Sequence, residues 1–84
     1  MNKADLKMKL EQLGVYPRAY SLDGGFPNER YVLNQEPSGR WEIYYSERGQ
    51  KSGLHSFDSE GAACDFFLNH ILADPGVRKN LNSR

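Results

Sequence analysis

The side chains with the greatest chemical reach here are one thiol, Cys64, and two imidazoles, His55 and His70. A thiol and an imidazole act as nucleophile and base only when they can touch. His70 lies six residues beyond Cys64 in a run that reads as helix, about 600° of rotation away, so the two face different sides. Cys64 reads as a buried structural cysteine, and His55, between Leu54 and Ser56, as an ordinary strand histidine. Nor do these residues show the clustered spacing of a structural zinc site. Glu42 and Glu47 make a carboxylate pair, but nothing in the pattern sets them across a cleft. Asp23-Gly24-Gly25 is glycine-rich but feeds no phosphate-binding helix, so it reads as a tight turn. No catalytic residue, metal or cofactor is expected.

Surface recognition is the remaining chemistry. Tyr16, Tyr20, Tyr31, Tyr44 and Tyr45 supply rings and hydroxyls of the kind enriched at protein interfaces. In Arg40-Trp41-Glu42-Ile43-Tyr44-Tyr45-Ser46 strict alternation puts Trp41, Ile43 and Tyr45 on one face and Tyr44 with Glu42 on the other. A tyrosine on the otherwise polar face, with Glu47 and Arg48 in the adjoining turn, makes that face the expected partner-binding surface. The same face, with Arg30, Arg40 and Arg48, would also suit single-stranded nucleic acid; the interleaved Glu29, Glu36, Glu42 and Glu47 argue against it. Lys plus Arg equals Asp plus Glu, 11 each, scattered without blocks, so neither nucleic acid nor an anionic membrane is favoured.

These side chains need elements to position them. Leu6, Leu10 and Leu13 recur at helical spacing from Ala4 to Gly14, with Asn2 available as a cap. Val15 to Leu22 is a short β-prone segment that Pro17 demotes to an edge strand. Residues 30–35 and 40–46 read as antiparallel strands joined by a Pro-Ser-Gly loop, and 51–57 as a weaker edge strand. Asp58-Ser59-Glu60 opens a helix whose apolar side is expected to hold Ala63, Phe66, Phe67, His70 and Ile71. The expected fold is α+β: a three- to four-stranded antiparallel meander with an N-terminal and a C-terminal helix packed on one face.

Eighty-four residues support one core, placed at residues 1–76 with 77–84 as a polar tail. A lone cysteine permits no internal disulfide and fits a reducing compartment. With no signal-like start and no run of about 18 apolar residues, the expected location is the cytoplasm.

Tyr20-Ser21-Leu22-Asp23-Gly24-Gly25-Phe26-Pro27-Asn28-Glu29-Arg30-Tyr31-Val32-Leu33, then Trp41 to Gly49 and Phe57-Asp58-Ser59-Glu60 with Ala63-Cys64, resembles small bacterial immunity proteins of polymorphic-toxin systems, including contact-dependent growth inhibition. The most specific elements are the Gly-Gly-x-Pro-Asn-Glu turn and Tyr-Tyr-Ser-Glu-Arg-Gly, and the likeness spans roughly residues 15–72. It implies a non-enzymatic inhibitor that binds a cognate toxin C-terminal domain, often a nuclease, with no family-wide contact residues to carry over. Against a nuclease, Asp23, Glu29, Glu36, Glu42 and Glu47 would be available to face its basic cleft. Zero net charge favours instead tyrosine anchors mixed with a few ion pairs, or inhibition away from the toxin's active site.

Overall fold

The N-terminal amphipathic segment becomes α1 (Lys3–Leu13), with Leu6 and Leu10 fully buried. Asn2 and Asp5 cap it reciprocally: Asn2 Oδ1 accepts from the Asp5 amide at 2.8 Å, and Asp5 Oδ2 from the Asn2 amide at 3.2 Å. Gly14 closes it in the left-handed conformation, φ 81°. The computed structural model describes residues 1–79 and residue 81.

A 3-10 turn at Pro17–Ala19 leads into β1 (Tyr20–Ser21), which is followed by β2 (Arg30–Gln35), β3 (Trp41–Glu47) and β4 (Gln50–Phe57). They form a four-stranded sheet in the order β1-β2-β3-β4. β2, β3 and β4 pair antiparallel, but β1 pairs parallel with β2 through Tyr20↔Tyr31 and Ser21↔Val32. The α+β class holds, while the sheet is mixed and not a pure meander. Residues 22–29 are the reason. Instead of reversing the chain in a hairpin they swing out of the sheet and return it in its original direction.

β4 is the outer edge. All of it except Phe57 is exposed, and Gly53, φ 64°, sits at a break in register with β3 between Ile43 and Tyr45, a bulge of the kind that blunts open edges.

Ser59 caps α2 (Glu60–Leu72) by accepting from the Ala62 amide. Its buried stripe is Ala63, Cys64, Phe67 and Ile71; Phe66 is half-buried and His70 exposed, so the helix is rotated from the expected face and the thiol takes the place of the imidazole. α2 contacts β2, β3, β4 and α1, and the Glu60 carboxylate accepts from the Lys3 amide at 2.8 Å, tying the two helix starts together.

Pro75 does not end the domain. It opens α3 (Pro75–Lys79), whose first amides, Gly76 and Val77, donate to Asp74 Oδ1 at 2.7 and 3.3 Å, a proline at the first helical position behind an acidic cap. Val77, expected to begin a polar tail over 77–84, is instead buried in the main core with Phe67 and Ile71; Asn80 and residues 82–84 of that stretch lie outside the described residues. Among the described residues no helix is long and apolar enough to cross a membrane.

Candidate functional site

Over Tyr44 and Glu42 of β3, the face of the sheet away from α2 is covered. Tyr44, expected to be its exposed anchor, is 2% exposed and Glu42 is 6% exposed. What covers them is the excursion 22–29. The Gly24 amide donates to the Leu33 carbonyl at 3.1 Å, and the Tyr44 hydroxyl donates to the Gly25 carbonyl at 2.7 Å. Phe26 lies over Tyr44, ring centroids 6.5 Å apart, and the Lys51 ammonium sits 4.7 Å from the Tyr44 ring centroid. Alternation correctly separates Tyr44 from Ile43 and Tyr45, but Tyr44 belongs to a second small core with Val32.

Beneath this cover Asn34 Nδ2 and Lys51 Nζ both donate to Glu42 Oε1 at 3.0 Å. Burial pushes the Glu42 carboxyl up, but the two hydrogen bonds and the Lys51 charge outweigh it, so the net shift is downward; the hydrogen bond to Glu42 raises Lys51 in turn. Asp74 is also lowered, chiefly by the Tyr31 hydroxyl that donates to it at 2.5 Å. A carboxyl depressed by folding contributes stability above its unfolded value, about 4.5 for Glu42, and loses it as pH falls through the folded value. The urea midpoint is therefore expected to fall on acidification below about pH 4.5, and Glu42→Gln to flatten that fall. An equal acid loss in the variant would mean that Glu42 carries none of it.

The accessible candidate lies at the end of the sheet where two turns meet. Asn28 Oδ1 accepts from the Arg48 amide at 3.3 Å. Glu29, φ 55°, and Arg48, φ 53°, are the only non-glycine residues with positive φ among those described. Arg48-Gly49 is the two-residue connection from β3 to β4, where Asn, Asp or Gly usually takes the first place; an arginine there costs roughly 1 kcal/mol. Such strain concentrates at functional surfaces. Beside these turns a cleft of about 410 Å³ is lined by Tyr16, Arg18, Asn28, Glu29, Arg30 and Tyr45. Burial raises Tyr45 first, and the carboxylates of Glu29, Glu47 and Asp74 raise it further. The side chains of Arg18 and Arg30 have no hydrogen-bond or ion-pair partner among the described residues.

Of the residues expected to bind a partner, Glu29, Glu47 and Arg48 gather at this end of the sheet. Glu29 and Arg48 share it without an ion pair between them. Asp23 lies elsewhere, 3.1 Å from Lys3, beside a second cleft of about 430 Å³. Tyr44 and Glu42 are the floor beneath the cover. Tyr16 is one of the five tyrosines whose type suits an interface, but its sequence context does not single it out, and nothing local marks Arg18: Tyr16, 41% exposed, reaches this cleft only because the 3-10 turn after it brings the chain back beside β2. No protein-family model matches this chain. No curated protein and no solved structure matches it either.

The remaining reactive groups are placed differently. Cys64 is fully buried, and burial together with the nearby Glu60 carboxylate pushes its thiol up to about 11, away from the thiolate a nucleophile needs. His55 and His70 both pack against Phe66, ring centroids 4.6 and 5.2 Å away. No group of three or more His, Cys, Asp or Glu side chains among the described residues is placed to hold a metal ion.

Proposed function

We propose that this chain is an immunity-type inhibitor that binds a cognate toxin domain in the cytoplasm of the producing cell, through the cleft and turns at the end of the sheet. The observation that carries the reading is the makeup of that cleft: Tyr16 and Tyr45 with Arg18 and Arg30, beside two strained turns. Tyrosine and arginine are the residues on which interface energy concentrates, because each combines a large rigid surface with directed hydrogen bonds. The likeness of residues 15–72 to immunity proteins supports the same reading. Inhibition then follows from occupying the toxin's surface, with no bond made or broken by the inhibitor.

The test is co-expression with a toxin-type domain encoded beside it. Growth rescue and one-to-one co-elution are expected. Tyr16→Ala and Arg18→Glu should each weaken the complex by about tenfold or more, with melting temperatures close to that of the unsubstituted chain, because both side chains are exposed. Full affinity in both variants would remove the cleft from the interface; absence of both rescue and complex would remove the immunity reading.

The alternative is a small adaptor or regulator binding nucleic acid. Tyr44 is buried and cannot stack on a base, so this route too runs through Tyr16, Arg18, Arg30 and Tyr45. Salt-dependent retention of a labelled oligonucleotide would favour it, and no retention at low salt would remove it.

A further inference from the structure

The two clefts share one residue, Arg30. Through it their cations form one strip: Lys3 and Lys7, a turn apart on α1, then Arg30, then Arg18. Against these four cations the linings hold two carboxylates, Asp23 and Glu29; Lys3 and Asp23 offset one another in an ion pair at 3.1 Å, which leaves Lys7, Arg30 and Arg18 facing Glu29 alone. Lys7, Arg30 and Arg18 have no side-chain partner among the described residues. The chain as a whole is neutral, so this excess is a local feature. The far end, at Tyr45, has the opposite character, because Glu29, Glu47 and Asp74 all act on that hydroxyl.

We propose that the partner lays an acidic segment along Lys3, Lys7, Arg30 and Arg18, oriented with its carboxylates toward α1 and its neutral or basic part toward Tyr45. The proposal rests on the protein-binding reading and names the chemistry of the partner. It sets the chain's cations, and not its carboxylates, against the partner: of the five carboxylates available to face a basic nuclease cleft, Glu42 is buried against Lys51 and Asp23 is engaged by Lys3. A polypeptide fits the strip better than a nucleic acid strand. A strand brings a phosphate at every step and would set some against Asp23, Glu29 and Glu47, whereas a peptide can place uncharged residues there.

The test needs no toxin. A capped Glu-Gly-Glu-Gly-Glu peptide, its Gln-Gly counterpart and a five-residue oligothymidylate are titrated into the labelled protein, with amide and arginine side-chain resonances followed at low and physiological salt. The Glu peptide is expected to shift Lys3, Lys7, Arg18 and Arg30 and their neighbours, and the Gln peptide to shift none. Arg30→Glu should weaken Glu-peptide binding by about tenfold. Lys9→Glu, two residues from Lys7 and so on another side of α1, should leave it unchanged. Lys7→Glu, at an exposed position, serves if Arg30→Glu does not fold. Shifts scattered over all lysines, equal losses in the Lys9 and Arg30 variants, or tighter binding of the oligothymidylate than of the Glu peptide would each overturn the proposal, the last transferring the strip to nucleic acid. Peptide binding on the strip without any toxin complex would leave the strip standing and the immunity reading fallen; a toxin complex indifferent to Arg30→Glu would do the reverse.

Discussion

Tyr44→Ala is expected to lower the melting temperature by about 15 °C or more, or to leave the chain unfolded at room temperature. The ring is 2% exposed, and truncating a buried aromatic to alanine costs about 3–5 kcal/mol in lost contacts and cavity. At this chain length each kcal/mol is worth roughly 4–8 °C, and one small core supplies only about 3–5 kcal/mol of net stability unless something reinforces it. Lys51 and Phe26 would lose the ring they pack on, and the Gly25 carbonyl its donor. Tyr44→Phe separates these contributions. It keeps the ring, removes only the hydroxyl, and should cost about 1 kcal/mol. The measurement is urea or thermal unfolding of the three proteins. A Tyr44→Ala protein that melts within about 2 °C of the parent would mean that residues 22–29 do not cover the sheet in solution, and would return Tyr44 to the list of surface anchors.

Gly24→Ala should destabilise by about 2–3 kcal/mol, and Gly25→Ala, one residue on, by only about 1 kcal/mol. Both glycines have positive φ, 72° and 86°, so both variants carry the left-handed strain of an L-residue. They differ in what the new methyl meets. At Gly24 it would lie 2.3 Å from Asn34 Oδ1, whereas at Gly25 nothing lies within 4 Å. Asn34 cannot simply swing away, because its Nδ2 donates to Glu42 at 3.0 Å; displacing it strips a hydrogen bond from a buried carboxylate. Asn34→Ala in the Gly24→Ala background should therefore recover part of the loss, a coupling of about 1 kcal/mol read from a double-mutant cycle. Equal destabilisation by Gly24→Ala and Gly25→Ala would show that the approach of Gly24 to Asn34 is not a close one.

Both results bear on function through the same physical link. Residues 22–29 carry Asn28 and Glu29 into the turn cluster, and they hold their course because Gly24 and Gly25 are fastened to β2 and to Tyr44. Variants of the cover are expected to disturb partner binding through stability. Substitutions at Tyr16 and Arg18 should disturb it without loss of stability.

The amino-acid sequence by itself determined the elements whose signals are local. The Leu6 and Leu10 spacing and the Asn2 cap made α1, alternation made β3, Ser59 and Glu60 opened α2, and the thin apolar content of β4 marked it as the edge. It determined as well which side chains share a strand face, since Tyr44 and Glu42 do lie together, away from Ile43 and Tyr45. Alternation says nothing about whether that face meets water. Only the tertiary structure decided this, by folding residues 22–29 across it, because the contacts that hold them there join Gly24 to Leu33 and Gly25 to Tyr44, groups distant along the chain and without a periodic signature. The same excursion turned the expected meander into a mixed sheet. Asp74, Pro75 and Val77 read as a helix stop before a tail until Val77 found a place in the core, a gain that depends on packing and not on the residues beside it. The candidate site follows the same rule: Glu29, Glu47 and Arg48 were legible as turn residues, whereas Tyr16 and Arg18 joined them only through the path of the chain, which brought separated segments around one cleft.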